Sequence, residues 1–453
     1  MMSPRPILFR CWFAVVAVIG LTVAGQAADP LTPVIPQVIP IPDSKAVAVK
    51  QPVKPGDADK PTVWKRWIPT GQPMTLGACL VIGQANQPTV KAAKASLASG
   101  ERGYLALQNF SRALELLSPD LPVRRLQAQK GIVAATAEVV RAQQEVIYDV
   151  ARMYFTYVYA TQQEQTANDI VEQMETFYRV AEEILKAGVV DPKVKINNFT
   201  LYALDDAIGE IRRLRDKATL GRKQSLAALK EAMGVDQSFP VVPSIQELPL
   251  MAGSVTLEEV MDKAMTRRTE LVQAAVVLDV TRLEACAQSK LGHRKTVQTF
   301  ASGSDLHSRS LPTPLRNGDY RPAPVPPEMP NILAGSREDR VGRAMALCDR
   351  QEAVYEKVVG LVKLEAVNAF LTWQSTTERV KDAKIRYERG LKILDESRAA
   401  AAARLEPDLL VKNEALAGKA QAEYLEAVEK QIEALINLER VTGGGVRPDF
   451  PGR

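Results

Sequence analysis

The sequence VTLEEVMDKAMTRRTELVQA at residues 255–274 resembles a stretch that occurs earlier in the chain, MTLGACLVIGQANQPTVKAA at residues 74–93. The two stretches align without a gap at an offset of 181 residues, which places Thr75-Leu76 opposite Thr256-Leu257. Similar segments in a fixed register indicate a duplicated structural unit. We therefore predict two divergent copies of one unit, each opened by this phrase.

A second pair of matching segments lies further along each copy. Val190-Asp191-Pro192 in the first copy corresponds to Leu405-Glu406-Pro407 in the second. This pair is offset by 215 residues, so the second copy carries 34 additional residues between its two landmarks. They lie mainly in residues 295–340, where seven prolines exclude a helix. We predict a first helical repeat at 73–249 and a second at 250–445, which contains this insertion.

Long stretches without proline connect the landmarks. Proline is absent from residues 123–191, 193–239, 250–311, 331–406 and 408–447. Because a proline inside a helix costs about 3 kcal/mol, these stretches can hold uninterrupted helices. A helix of about 60 residues would be roughly 90 Å long, several times the length of an ordinary globular helix. The proline map therefore predicts helical rods.

The last of these stretches is amphipathic. Its apolar residues recur at intervals of three and four, and its glutamates occupy the other side: Leu425, Val428, Ile432, Leu435 and Glu423, Glu426, Glu429, Glu433. Chain reversal at Pro192 and Pro407 would join such helices into two antiparallel coiled-coil hairpins. Two helices alone leave apolar flanks exposed, so a second hairpin or other subunits must cover them. We predict a mainly α fold of two tandem hairpin repeats, with the last helix ended by Gly443-Gly444-Gly445.

The two ends of the chain differ from the repeats. In residues 1–27, Arg5 and Arg10 precede an apolar run that ends in small residues, which is typical of a secretory signal peptide. The run is too short for a membrane-spanning helix, and no cysteine follows it, so neither an anchor nor a lipoprotein is expected. Residues 28–72 are rich in proline and lysine, which predicts an extended linker. Residues 446–453 form a tail.

The inventory of side chains gives no indication of catalysis. The net charge of +5 is mild and there is no basic stripe with interleaved aromatics, so a nucleic-acid partner is not expected. His293 and His307 have no partners at metal-ligand spacing, and no hydrolase, phosphate-loop or metalloprotease motif occurs. We predict no enzyme, no metal site and no cofactor. We interpret Cys79, Cys286 and Cys348 as packing residues, with one disulfide among them as the alternative.

These features together resemble the TolC-type outer-membrane efflux family. In that family each half opens with a phrase similar to Thr-Leu-Glu-Glu-Ala, followed by Pro-Glu-Leu and an alanine-rich helix. Residues 255–260 and 269–274 are similar to that pattern, although Thr269 stands where the family has proline. The segment Arg386-Tyr387-Glu388-Arg389-Gly390 resembles a motif that the family carries near a hairpin tip. The likeness covers about residues 74–442.

The resemblance implies an efflux or secretion channel component that gives passive export across the periplasm and the outer membrane. It also implies a homotrimer in the outer membrane, facing the periplasm, that works with a periplasmic adaptor and an inner-membrane pump. The family's β-barrel strands are expected to be short, degenerate or missing, because residues 104–117 read as a helix and only 295–304 read as a strand. The alternative is a periplasmic helical structural or interaction protein of the same fold without a pore.

The predicted hairpin tips are the candidate functional site. By the resemblance, the tips that would meet an adaptor contain Gly188, Val189, Asp191, Pro192, Leu405, Glu406, Pro407 and Asp408. In a trimer, the carboxylates of Asp191, Glu406 and Asp408 would gather around the axis, where they would gate the exit or bind cations. The alternative interpretation is that these acidic residues cap the helices that follow the turns.

Overall fold

A computed structural model describes most of the two repeats. The described residues are 73–110, 116–187, 196–251, 253–300, 321–322, 329–404 and 407–453, with the backbone alone for 400–404 and 407–411. They belong to one compact unit, Pro52–Arg453. The other unit, Met1–Gln51, lies outside the described residues, as do all of the predicted signal peptide and linker.

The described residues contain eight helices, four in each copy. The first copy contributes α1 (Leu76–Asn86), α2 (Pro88–Gln108), α3 (Leu121–Lys186) and α4 (Asn198–Ala232). The second copy contributes α5 (Leu257–Arg267), α6 (Thr269–Lys290), α7 (Arg337–Arg404) and α8 (Pro407–Val441). The 66 residues of α3 give it a length of about 100 Å. The predicted mainly α fold of tandem long hairpins is confirmed.

The shared opening phrase begins both copies with the same helix cap. The Thr75 hydroxyl accepts a hydrogen bond from the Ala78 amide at 3.2 Å, and the Thr256 hydroxyl accepts one from the Glu259 amide at the same distance. A threonine in this position satisfies an amide that would otherwise have no partner in the first turn of the helix. The repeated threonine therefore marks where each copy becomes helical.

Each copy bends sharply after its first helix, at a residue with extended ψ. The bend lies at Gln87 in the first copy and at Arg268 in the second, and ψ is 124° at both. Pro88 accounts for the first bend, because a proline is favoured at the start of a helix. No proline accompanies the second bend, yet the helix is interrupted at Arg268. The prediction that residues 250–311 allow one uninterrupted helix is therefore wrong there.

Both bends are tied to the end of a returning helix. The Gln87 side-chain amide donates to the backbone carbonyls of Glu231 and Ala232, at 3.1 and 3.2 Å. The Arg268 guanidinium donates to the carbonyl of Val441 at 3.3 Å. These carbonyls belong to the last turns of α4 and α8. Carbonyl oxygens in a last turn have no hydrogen-bond donor within their own helix. We call the bend at Gln87 the first elbow and the bend at Arg268 the second elbow. The side chain at each elbow caps the helix that ends its own copy.

Glycine follows each of these helix ends. Gly234 has a φ of +64° and Gly443 a φ of +57°, the left-handed conformation that ends helices. A Cβ on Gly234 would lie 2.7 Å from the Cα of Gln87, and one on Gly443 would lie 2.9 Å from the carbonyl oxygen of Arg267. Glycine is required both by the conformation and by the close approach of the elbow. The prediction that glycines end α8 is confirmed.

The four long helices pack side by side. α3 lies between α4 and α8, and α8 lies between α3 and α7. A glycine in α8 allows close packing on α3: a Cβ on Gly418 would lie 2.4 Å from the Cδ1 of Ile170. The shorter helices α1, α2 and α6 pack on α3, while α5 and α6 pack on α7. The result is a layer in which α4 and α7 are the outer helices.

The last residues of the chain pack into this core. Phe450 is buried, and its ring centroid lies 4.8 Å from that of Phe155 on α3. Arg453 forms an ion pair with Glu439 of α8, and the amide of Gly77 donates to the carbonyl of Gly452 at 2.8 Å. Residues 446–453, predicted as a tail, therefore seal the junction between α1, α3 and α8.

Two short strands follow α6. β1 (Thr296–Gln298) pairs antiparallel with β2 (Ile332–Ala334), with Val297 opposite Leu333. The predicted strand within residues 295–304 is thus three residues long where it is described, and its partner strand was not predicted. The helix predicted at residues 104–117 is wrong in its bounds, because α2 starts at Pro88 and ends at Gln108. Arg125 ends α2 by donating to the Leu107 and Phe110 carbonyls.

The three cysteines occupy different environments. Cys79 is buried, Cys348 is half-buried and Cys286 is exposed, and all three are free thiols. The interpretation of all three as packing residues is correct for Cys79 and wrong for Cys286. Burial raises the pKa of the Cys79 thiol to about 12, which leaves almost no thiolate at neutral pH.

We expect the cysteines of the native chain to react with an alkylating reagent in the order Cys286, Cys348, Cys79. Mass spectrometry of the labelled peptides over time measures each rate. Cys79 should become labelled only after denaturant is added, because its thiol is both inaccessible and protonated. Labelling of Cys79 at the rate of Cys286 in native buffer would contradict the packing of α1 described above.

Candidate functional site

The predicted hairpin tips fall where the structure gives no side chains. Gly188, Val189, Asp191, Pro192, Leu405 and Glu406 lie outside the described residues, and Pro407 and Asp408 begin α8 with their side chains undescribed. One alternative can be corrected. The residue that caps α4 is Asn197, whose Oδ1 accepts from the Thr200 amide at 3.0 Å, and not Asp191. The docking, gating and cation-binding roles of the tips stay predictions.

A cluster of buried charges lies at the second elbow. Arg268 lies 2.7 Å from one carboxylate oxygen of Glu365, and Arg440 lies 2.8 Å from the other. Arg268 also donates twice to Glu270, at 2.8 and 2.9 Å. Arg268, Arg440 and Glu365 are all buried. Two arginines thus face two glutamates, and the charges balance within the cluster.

This cluster joins helices that are distant in sequence. Arg268 lies at the α5–α6 elbow, Glu365 in α7 and Arg440 in the last turn of α8. The Arg440 guanidinium also lies over the Tyr148 ring of α3, 5.2 Å from its centroid. A small pocket beside the cluster is lined by Val140, Arg141, Gln144, Glu145, Arg267, Arg268, Thr269, Glu270, Arg440 and Gly443. Because its main charges are paired with each other, we interpret the cluster as a structural joint between four elements.

The charges at the second elbow shift the pKa of Glu270. Burial favours its neutral form, but the adjacent Arg268 outweighs this and lowers the pKa of Glu270 from 4.5 to about 2. The same contacts raise the pKa of Arg268 against the effect of its burial. A carboxyl whose pKa is lower in the folded state contributes stability at neutral pH and loses it as the pH falls towards 2.

We therefore expect Glu270→Gln to reduce the stability of the chain at pH 7 and to flatten its acid dependence. In the parent protein, the free energy of unfolding should fall as the pH drops from 4.5 towards 2; in the variant, this fall should be smaller. Denaturant titrations followed by the helical signal, repeated across this pH range, measure both slopes. Parallel curves for the two proteins would show that the Glu270–Arg268 pair does not stabilise the fold.

A second polar network lies at the end where α3 and α7 begin. Arg124 contacts Asp120 at 3.0 Å and forms an ion pair with the buried carboxylate of Glu284. Arg340, which is fully buried, donates to the Gln288 side chain at 3.0 Å and to the carbonyl of Gly335 at 2.9 Å. Arg340 also donates to the carbonyls of Leu291 and Arg294. The network holds the end of α6 and the β1–β2 hairpin against α3 and α7.

Neither cluster has the composition of a metal centre. Among the described residues, no group of three or more histidine, cysteine, aspartate or glutamate side chains is placed to hold a metal ion. No described helix combines the length and apolar content that a membrane-crossing helix needs.

The two outer helices of the layer expose large apolar side chains. On α4 these are Phe199, Tyr202, Leu214 and Leu220, and on α7 they include Leu364, Leu371 and Ile385. Phe199 and Leu220 are separated by a multiple of seven residues, and so are the three residues on α7, so the members of each set lie on one side of their helix, with Asp206, Arg213 and Glu378 at the heptad positions between them. We call these two sides the α4 and α7 seams. Exposed seams of this kind usually mark surfaces that associate with another protein.

Comparison with solved structures finds the same arrangement of helices. The outer-membrane channel OprN superposes with a TM-score of 0.63 and 15% identity, covering 82% of this chain and 91% of OprN. MtrE of Neisseria gonorrhoeae in its open state gives 0.61 and 15%, covering 82% of this chain and 89% of its own. The Campylobacter jejuni outer-membrane channel CmeC gives 0.62 and 13%, with 84% and 90% covered.

The chain has the TolC-type fold. Structural matches at identities this low establish the fold alone. At the level of the fold, they confirm the TolC-type resemblance that the repeated opening phrase suggested. No family model matches the sequence, and no curated protein matches it. The likeness to the TolC-type fold therefore depends on the course of the backbone and not on a shared set of residues.

Sequence reasoning missed most of the residues that organise this fold. Arg268, Glu365 and Arg440 carry no local signal, because each is one charged residue among many on long helices. The motif Arg386–Gly390 was noticed only as a resemblance, and the structure gives it a physical basis. Tyr387 of α7 stacks on Tyr424 of α8 with ring centroids 5.5 Å apart.

Proposed function

We propose that this chain is a subunit of a TolC-type outer-membrane channel, which gives passive export of small molecules or polypeptides across the periplasm and the outer membrane. The observation that carries the proposal is a single layer of four long helices whose two outer helices, α4 and α7, both expose apolar seams. The likeness to outer-membrane channels over more than four-fifths of the chain supports it.

The positions of the two seams favour a ring. α4 packs chiefly on α3, and α7 packs on α8, so the seams lie on opposite sides of the layer. Association of α4 in one copy with α7 in the next is a heterologous contact, and a closed rotation turns such contacts into a ring. A ring covers every exposed seam, whereas an isolated chain leaves both in water. We propose three copies, as the family resemblance implies.

In this proposal the hairpin tips face the partners that drive export. Residues 188–192 and 405–408 connect the long helices of each copy, and we propose them as the docking site for a periplasmic adaptor that links the channel to an inner-membrane pump. The acidic residues Asp191, Glu406 and Asp408 would then lie near the mouth of the ring. Replacing them changes export without changing the ring if the assignment is right.

A periplasmic helical protein of the same fold without a pore is the second candidate. One observation favours it: only twelve residues, 109–120, connect α2 to α3. A tilted strand that crosses a membrane takes about 9–11 residues, so this connection is too short for two of them. Under this alternative the ring, or a smaller assembly, would serve as a scaffold between other envelope proteins.

Fractionation of cells that export the full chain, followed by conductance measurements, separates the two candidates. The channel proposal expects the chain in the outer-membrane fraction, released only by detergent, as a heat-sensitive trimer that conducts ions in planar bilayers. A chain that is released from the periplasm without detergent and that conducts no ions would contradict the channel and support the scaffold. Asp279→Ala, which removes a half-exposed ion pair with Lys130, serves as a variant expected to behave like the parent.

A further inference from the structure

We propose that the contact between neighbouring copies of this chain repeats the contact that α3 makes with α8 inside one chain. In this contact, Ile385 on α7 of one copy packs into the space beside Gly209 on α4 of the next copy. The inference rests on the proposed ring and deepens it, because it names the residues that meet and their register along the helices. The occupant of each seam is then a second copy of the same chain.

The two copies of the repeat correspond helix by helix. α4 and α8 both contain 35 residues, and their first residues, like their last, lie 209 positions apart. Because neither helix is interrupted, each residue of α4 corresponds to the residue of α8 that lies 209 positions later. For α3 and α7 the offset is 215 positions, as it is between the two hairpin tips. Arg125 donates to the Phe110 carbonyl just after α2, and Arg340 donates to the Leu291 carbonyl just after α6.

Inside one chain, α3 and α8 meet by a large side chain packed against a glycine, and we call this the template contact. A Cβ on Gly418 would lie only 2.4 Å from the Cδ1 atom of Ile170, so glycine leaves room for this isoleucine. The residues that correspond to this pair are Ile385 on α7 and Gly209 on α4. Both residue types are therefore the same as in the template contact.

Ile385 and Gly209 have no such partner among the described residues of their own chain. Ile385 is 54% exposed, and no described atom lies within 4 Å of the position that a Cβ on Gly209 would take. Glycine inside a helix is destabilising, so its presence at an open position requires an explanation from outside the isolated chain. Close approach of Ile385 from the next copy supplies this explanation.

A second position of the template contact corresponds to a pair of opposite charges. The side-chain amide of Gln163 on α3 donates to the Ala422 carbonyl on α8 at 3.2 Å. The corresponding residues are Glu378 on α7 and Arg213 on α4, which are both exposed and both lie at heptad positions of the seams. Opposite each other in neighbouring copies, these two side chains would attract.

A third position of the template contact corresponds to two basic residues. The Gln421 side-chain amide donates to the Thr166 hydroxyl at 3.1 Å, and the corresponding residues are Arg212 and Lys381. Each of these two already forms an ion pair with a glutamate of its own chain, at 2.6 and 2.7 Å. The proposed contact therefore brings no unpaired positive charges together.

These correspondences favour a second copy over an unrelated protein as the occupant of the seams. The isoleucine and the glycine lie on the two outer helices of the layer, so each chain presents both halves of the contact. A heterologous contact of this kind passes from copy to copy and closes into a ring.

Gly209→Leu tests the inference in the full mature chain, purified from cell envelopes in mild detergent. The variant should associate at least about tenfold more weakly than the parent, because the added side chain occupies the space of Ile385 from the next copy. The free energy of unfolding of the separated chain should not fall, since the position is open and leucine favours a helix more than glycine does. Gly209→Leu combined with Ile385→Ala should regain association, because the leucine fills the space that the isoleucine leaves. Native mass spectrometry over a dilution series measures the association.

Ala203→Leu is the matched control for this variant. Ala203 is exposed on α4, and its counterpart on α8 is Lys412, which is also exposed and lies outside the template contact. This variant should associate like the parent.

Disulfide cross-linking reports the register directly. Gly209→Cys combined with Ile385→Cys should link neighbouring copies on mild oxidation. Gly209→Cys combined with Leu371→Cys, about four helical turns away, should not. A trimeric parent whose Gly209→Leu variant associates normally and whose first cysteine pair stays unlinked would overturn the inference and leave the ring standing. A monomeric parent would overturn the proposed ring itself, and the inference with it.

Discussion

Replacing Glu365 by alanine is expected to lower the free energy of unfolding by about 3–5 kcal/mol. The Glu365 carboxylate lies between two buried arginines, 2.7 Å from Arg268 and 2.8 Å from Arg440. Without it, two guanidinium groups remain in a dry environment with only Glu270 to offset them, and burying unpaired charge is costly. Denaturant titration followed by the helical signal measures the loss.

The matched control for this prediction is Asp279→Ala. Asp279 and Lys130 also join two helices at 2.7 Å, but both side chains are about 40% exposed. Pairs of this kind contribute less than about 1 kcal/mol, because water and salt screen them. If Glu365→Ala costs no more than Asp279→Ala, the elbow cluster does not hold the repeats together. Replacing Arg268, Glu365 and Arg440 by methionine, together with Glu270→Gln, should restore part of the loss, because none of the four charges of the cluster then remains unpaired.

The second large effect is expected at the outer helices. Phe199→Glu combined with Leu220→Glu on α4, or Leu371→Glu combined with Ile385→Glu on α7, should weaken association of the copies at least about 100-fold while each chain stays folded. All four side chains are exposed in the isolated chain, so charge there disturbs only the assembly. Hot-spot side chains at the centre of an interface cost about 2 kcal/mol or more each when they are lost, and two such losses give the magnitude. Light scattering of the purified variants measures their mass.

Mixing the two variants distinguishes the kind of contact. A chain altered on α4 keeps a normal α7, and a chain altered on α7 keeps a normal α4. If α4 of one copy meets α7 of the next, the mixture forms heterodimers but no closed rings. If like helices meet instead, the mixture contains only homodimers, each formed through the helix that is unaltered in that chain. Full assembly of either variant alone would show that the seams are not the interface.

The helices were predictable wherever proline or glycine marked their ends. Pro122 and Pro407 lie in the first turns of α3 and α8, and Gly443 follows the end of α8, as the sequence indicated. The elbow at Arg268 was not predictable, because no local breaker marks it. Its extended backbone is stabilised by contacts with Glu365 and Val441, which only the folded chain brings near. Residues close in sequence thus determine where the long helices end, whereas contacts between distant residues determine the bend at Arg268.

The candidate site shows the same division. The turns around Pro192 and Pro407 were predicted from the repeat, and the structure places the ends of α3, α4, α7 and α8 next to them. The seams on α4 and α7 could not be assigned to the outside from the sequence. Most helices here carry an apolar stripe, and only the packing order shows which stripes remain uncovered. The sequence therefore predicts that lateral partners are needed, and the layer shows which apolar side chains of its outer helices stay uncovered.

The most direct test of the account is the mass of the assembly that the full mature chain forms when it is purified from cell envelopes in mild detergent. Lateral closure of α4 on α7 predicts a particle of three chains by native mass spectrometry, which falls to single chains when either seam carries glutamate. A parent chain that remains a stable monomer under the same conditions would contradict the closed ring of helical layers.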